Sequence, residues 1–153
     1  MPENESYSKE NGNINVGRVL ADKTSLFALY VNSKNGGKLN EGAVNDSFNN
    51  THSNAFVGTG YHSNITLLLD GKYSKLKISA AIKDDCSDSV TASFTIKTDD
   101  GEVVYSSPLM NVKTEPFEVT DIPINNCKLL TIDCSSSSDS YCTIILYDAV
   151  VYN

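Results

Sequence analysis

Apolar residues recur at every second position through the C-terminal two-thirds of this chain. In KLKISAAIK (75–83) they are Leu76, Ile78, Ala80 and Ile82, and in SVTASFTIKT (89–98) they are Val90, Ala92, Phe94 and Ile96. A period of two sends these side chains to one face of an extended segment, so each stretch predicts a half-buried strand. Asp100-Gly101 then marks a hairpin turn into EVVYSSPLM (102–110). PFEVTDI (116–122) alternates Phe117 and Val119, KLLTIDC (128–134) alternates Leu130, Ile132 and Cys134, and CTIILYDAVVY (142–152) alternates Cys142, Ile144 and Leu146. Upstream, NITLLL (64–69) runs into the turn DGKYS (70–74), SLFALYVN (25–32) reads as one strand and NVGRVL (15–20) as a shorter first one. Residues 33–63 scatter Asn, Gly and Ser without a repeat, and a stretch that long is expected to hold functional loops or short strands. No segment sustains a helical apolar repeat. Seven or eight short strands separated by turn residues predict an all-β fold, an antiparallel β-sandwich of jelly-roll type.

Composition narrows the function. Residues 1–15, rich in Glu, Asn, Ser and Gly, cannot repay the entropy of ordering and read as a disordered tail or linker, leaving 16–153 as a single β-sandwich module. Twelve basic against nineteen acidic residues give a net charge of −7, and Arg18 is the single arginine, so a nucleic-acid partner is not expected. No run approaches the roughly 20 apolar residues of a membrane span, and the polar start does not read as a signal peptide.

If strands alternate up and down, connections fall alternately at the two ends of the sandwich. The connections 33–63, 84–88, 110–115 and 135–141 then share one end, and the turns 70–74, 99–101 and 122–126 share the other. The first end would gather Tyr61, His62, Asp84, Asp85, Asp88, Asn111, Asp139 and Tyr141, a mixture suited to hydrogen-bonding a polar ligand. Tyr61, His62, Asn111, Asp139 and Tyr141 are the expected ligand contacts, whereas the neighbouring carboxylates Asp84 and Asp85 are hard oxygen ligands of the kind calcium takes. The serines of 135–138 read as a flexible hairpin loop with no base to activate them, and no catalytic constellation emerges. In that hairpin Cys134 and Cys142 would lie close enough to bridge, with Cys86 as a competing partner and Cys127 at the other end. Four reduced cysteines are the alternative.

Three stretches carry a family resemblance. SNAFVGTGYHSNITLLLDGKYSKLKISAAIKDD (53–85) sets LDGKYSKL between two strands and ends on the acidic pair Asp84-Asp85; SFTIKTDDGEVVYSSPLM (93–110) and YDAVV (147–151) follow in order. Together they resemble the bacterial NPCBM-type, galactose-binding-like carbohydrate-binding modules. The resemblance implies a non-catalytic jelly roll, exported or displayed on a bacterial surface as a monomer attached to a larger protein, binding a galactose-like glycan weakly through loops at one end. It also implies a structural calcium. The chain has no tryptophan: Leu146 stands where the family usually has one, and Gly60 stands about where a histidine is expected. Sugar stacking would therefore fall to Tyr61, Tyr141 or His62. The alternative is a spacer or protein-interaction domain that keeps the fold and has lost the sugar site.

Overall fold

The computed structural model describes residues 23–59, 61–137 and 142–153; the tail 1–15, NVGRVL, Gly60, Asp139 and Tyr141 lie outside the described residues. The strands are β1 (Thr24–Ser25), β2 (Val31–Asn35), β3 (Lys38–Leu39), β4 (Val44–Asn45), β5 (Thr51–His52), β6 (Phe56–Gly58), β7 (His62–Leu68), β8 (Lys75–Ile82), β9 (Ala92–Thr98), β10 (Val103–Ser106), β11 (Phe117–Pro123), β12 (Leu129–Ser136) and β13 (Ile144–Tyr152). They form two facing antiparallel sheets and a small ribbon. The first sheet runs β11-β8-β13-β6-β3 with β1 also on β13, the second runs β10-β9-β12-β7-β2, and β4 pairs with β5. This is the expected β-sandwich.

The alternating residues meet between the sheets. Leu76, Ile78, Ala80 and Ile82 from one side and Ile65, Leu67, Phe94, Ile96, Leu130 and Ile132 from the other are all essentially inaccessible. Burial of this apolar surface is the dominant favourable contribution to the fold. Leu146, at the expected tryptophan position, is fully buried among them. In this chain that position is core, so an indole there would not face a sugar. Two β-bulges reset the alternation: one in β13 after Tyr147, with Asp148 at φ +48°, and one in β11 after Val119, with Asp121 at φ +57°. Aspartate tolerates this left-handed backbone better than most residues. Beyond the bulges the buried residues are Ala149, Val151 and Ile122, the opposite phase to Leu146 and Val119.

Two sequence expectations are corrected. SLFALYVN is not one strand: Leu26–Ala28 form a single 3-10 turn between β1 and β2. Leu26 and Phe27 are adjacent and both buried in the same core cluster, whereas an extended strand sends neighbours to opposite faces. Residues 33–63 hold short strands, as expected: β3 to β6 are each only two or three residues long and therefore without a readable period. The second correction concerns β12 and β13, which lie in different sheets and so do not pair as a hairpin. Cys134 is consequently a free, buried thiol, and Cys142 is bonded to Cys86. β8 is the in-sheet neighbour of β13, so the residues just after β8 lie beside those just before β13, and the two cysteine Cα atoms are 4.6 Å apart. Cys127 is at the far end, as expected, where the Gly71 N–H donates to its carbonyl.

The segment from Asn40 to Ala55 forms a strap over the outer face of the first sheet. It leaves the β6 edge, where the Asn40 N–H donates to the Ala55 carbonyl. Over β13, Val44 packs with Ala55, Val57 and Ile145, and the His52 ring stacks on Tyr147 at 3.7 Å. At the end of β8, the Ser47 N–H donates to Ile82 O and the Asp84 N–H to Asn45 O. Asp46, fully buried, holds the turn together: its Oδ1 accepts the Phe48 and Asn50 N–H groups at 2.8 and 3.0 Å, and its Oδ2 accepts the Asn50 amide at 3.2 Å and pairs with His52 Nε2 at 2.7 Å. Burial alone would raise its pKa; the hydrogen bonds from His52, Asn50 and Phe48 outweigh that and hold the carboxyl below its ordinary range.

Two outcomes follow. Asp46→Ala strips four donors of their acceptor and should cost about 2–3 kcal/mol in denaturant unfolding. Because the folded carboxyl titrates below its unfolded value of ~3.9, its contribution is complete above that pH and fades as pH falls through the lower folded pKa. Between pH 5 and 2 the wild type should therefore lose more stability than the Asp46→Ala variant. Thiol titration checks the cysteines: the denatured, unreduced chain should show two reactive thiols, Cys127 and Cys134, and the reduced chain four. In the native state both should resist alkylation, because burial pushes the Cys134 thiol up to about 12 and the Cys127 thiol up to about 11.

Candidate functional site

β7 begins and β12 ends at one pole of the sandwich, since His62 pairs with Ser135. β8 ends and β13 begins at the same pole, where Ile82 pairs with Ile144. The connections 83–91 and 107–116, with Ser137, Cys142 and Thr143, accordingly meet there. The Cys86–Cys142 disulfide ties the first to the last, and the Ser137 N–H donates to Thr91 O across them. The opposite pole carries the tight turns after β7, β9 and β11.

Of the residues expected to contact ligand, those described, Tyr61, His62 and Asn111, reach this pole but do not share one cavity. Tyr61 is half exposed, with its ring 4.7 Å from that of His62. His62 turns onto the outer face of the second sheet, beside Asn64, Ser93, Asp133 and Ser135. Asn111 is consumed locally: its Oδ1 accepts the Lys113 N–H at 2.9 Å and its own N–H donates to Thr114 Oγ1, so it shapes a turn. Asp84 and Asp85 both face Lys83, at 3.6 and 3.0 Å. The Asp85 hydrogen bond, opposed in part by desolvation and reinforced by both carboxylate charges, raises the Lys83 pKa. Among the described residues no three His, Cys, Asp or Glu side chains group to hold a metal ion. Calcium asks for six to eight oxygens, and two carboxylates that share one ammonium fit it poorly.

A groove of about 570 Å³ opens on the outer face of the first sheet between this pole and the strap. Its floor is apolar, made by Val44, Ala55 and Val57, and its rim carries Lys38, Glu41, Thr59, Lys83, Asp85 and Thr143. Asp85 and Thr143 are the chain neighbours of Cys86 and Cys142, so the disulfide sets one wall. Only Asp85 among these belonged to the expected site. Lys83 and Thr143 flank the readable strands β8 and β13, and the others come from the short strands β3, β4 and β6 and the connections beside them, which gain meaning only once the strap is seen to cross β6.

Comparison with known proteins bears on the fold. No protein-family model and no curated protein sequence matches the chain. Solved structures do. The CBM51-2 and INT domains of Clostridium perfringens ZmpB align with a TM-score of 0.68 at 16% identity, over 86% of this chain and 31% of that one. The tandem CBM51 modules of the family 98 glycoside hydrolase Sp3GH98 from Streptococcus pneumoniae give 0.65 at 15% identity, over 86% and 47%. The CBM51 of a C. perfringens GH95 protein, solved with methyl-galactose, gives 0.58 at 18% identity, over 84% and 99%. The chain thus has the jelly-roll sandwich of the CBM51 carbohydrate-binding modules, and it spans less than a third of the ZmpB chain.

The acidic pair is checked by thermal unfolding. Carboxylates held by Lys83 should give the same melting temperature in calcium and in EDTA, whereas a calcium site would raise it in calcium by binding only the folded state.

Proposed function

We propose that this chain is a non-catalytic carbohydrate-binding module of an exported or surface-displayed bacterial protein, and that the pole-side groove holds a galactose-like sugar. The observation that carries the reading is the groove itself, a short apolar floor ringed by hydroxyl, carboxylate and ammonium groups. The C–H faces of a sugar ring would lie on Val44, Ala55 and Val57. Its hydroxyls would donate to Glu41 and Asp85 and accept from Lys38, Lys83 and the threonines. The fold supports the reading, because CBM51 modules of the same architecture have been solved with methyl-galactose and with GlcNAc.

Catalysis finds no support in the rim. Glycoside hydrolysis uses two carboxylic groups facing one bond in a setting that shields them from water. Asp85 is instead 64% exposed and ion-paired. Without an aromatic floor the affinity should be modest, high micromolar to millimolar, or about −4 to −6 kcal/mol. Display of several modules on one parent protein would supply the rest.

A second reading places the sugar on the exposed Tyr61–His62 pair. Calorimetry with methyl-galactose and a galactose-terminated oligosaccharide separates the two. Glu41→Gln and Asp85→Asn should each weaken binding about tenfold, or ~1.4 kcal/mol, while Tyr61→Ala leaves it unchanged. Loss in Tyr61→Ala alone moves the site to the tyrosine, and no response by the wild type on a glycan array favours a spacer or protein-interaction domain.

A further inference from the structure

A second cavity, of about 360 Å³, lies on the same outer face but on the other side of the strap. Ser25, Thr51, His52, Asn54, Tyr147 and Asp148 line it. Three features distinguish it from an ordinary surface dimple. The first is the state of His52. Asp46 is buried and ionised and can only accept, so it takes its hydrogen bond from Nε2 and leaves Nδ1 as the imidazole nitrogen with no protein partner among the described residues. The second is Tyr147, whose ring is clamped under His52 and whose hydroxyl likewise lacks a protein partner among the described residues. Burial, then the charges of Asp46, Asp148 and Glu118, raise its pKa, so it keeps its proton. The third is Asp148, held at φ +48° by the bulge in β13, exposed and without a protein partner among the described residues. Backbone strain of this kind costs free energy and commonly accompanies sites where a side chain is re-aimed.

We propose that His52, Tyr147 and Asp148 form a second ligand site, separate from the pole-side groove, that takes one hydroxyl-rich ring such as a monosaccharide. The choice of a sugar as ligand class rests on the carbohydrate-binding reading; the site itself rests on the three groups. The Asp148 carboxylate calls for a ligand O–H donor, the Tyr147 hydroxyl supplies a donor in return, and the unpaired His52 nitrogen meets a hydroxyl that can act in either sense. Asp46 reaches no ligand. It is a positioning residue that fixes which imidazole nitrogen is bare. A module with two such sites, one on each side of the strap, would hold two residues of one glycan or two glycan chains.

The test is a nitrogen-detected and amide NMR titration of the full chain with methyl-galactose and with N-acetylglucosamine, on the wild type and on Tyr147→Phe and Asp148→Asn. Both substitutions keep ring packing and left-handed backbone, and amide spectra confirm the fold. Saturable shifts are expected at His52 Nδ1 and at the amides of Tyr147 and Asp148, with affinity there at least fivefold weaker in each variant. Asp46→Asn offers a donor to Nε2 instead of an acceptor, so it should move the His52 proton to Nδ1 and weaken the same site. Shifts confined to the groove residues would leave the proposed function standing and overturn this one. Shifts only at His52, Tyr147 and Asp148 would overturn the groove and support this site. No shift there with either sugar, or shifts that persist unchanged in both variants, would sink it.

Discussion

A single buried carboxylate organises the functional face of this sandwich. Asp46 is inaccessible to solvent and would be costly if unpaired, yet it gathers two backbone N–H groups, one amide and one imidazole within a seven-residue turn. Without it the strap has little to hold it, since β4 and β5 are two residues each and most of its residues are polar. With it, Val44 is pressed onto Ile145 and His52 onto Tyr147, and the otherwise open outer face of the first sheet is divided into two cavities. Both proposed sites therefore depend on a residue that touches neither ligand.

The sandwich was legible wherever strands are long enough to show a period. β8, β9 and β12, with seven or eight residues each and one face to the core, match their sequence readings to within a few residues. Parity then put the long connections at one pole without any coordinates. The strap was not legible, because a two-residue strand carries no alternation and Asp46 is one Asp among many until its partners converge. DSFNNTH does hold a signal in retrospect: an aspartate followed by asparagines three and four residues on is turn chemistry, and a histidine six residues on is within reach of a carboxylate once the turn closes.

The cysteines show how topology outranks sequence proximity. Cys134 and Cys142 are eight residues apart and share an inward phase, which suits a hairpin, but a sandwich that places successive strands in opposite sheets sends them apart. Cys86, 56 residues from Cys142, becomes its neighbour because β8 and β13 pair in register. In chain-entropy terms a loop of that length is worth about 4 kcal/mol, a large share of a domain's net stability. The bridge also fixes Asp85 against Thr143, so the covalent link that stabilises the pole is the one that shapes the groove wall.

The absence of tryptophan bears on binding differently once Leu146 is seen in the core. An indole at that position would add core volume, not a stacking platform, so its loss is a packing substitution and leaves the surface chemistry untouched. What limits the groove is its floor of small aliphatic side chains, which offers contact area without the directional pairing of C–H groups to an aromatic face. Such a surface discriminates sugars by where its charged rim meets their hydroxyls. Lys83 is central to that discrimination, because its ammonium is shared with Asp84 and Asp85 and a ligand hydroxyl must fit into an arrangement already satisfied. Recognition by exchange of hydrogen bonds within an ion-paired cluster yields low affinity and sensitivity to hydroxyl stereochemistry together, which suits a module whose hold on a glycan comes from several weak contacts.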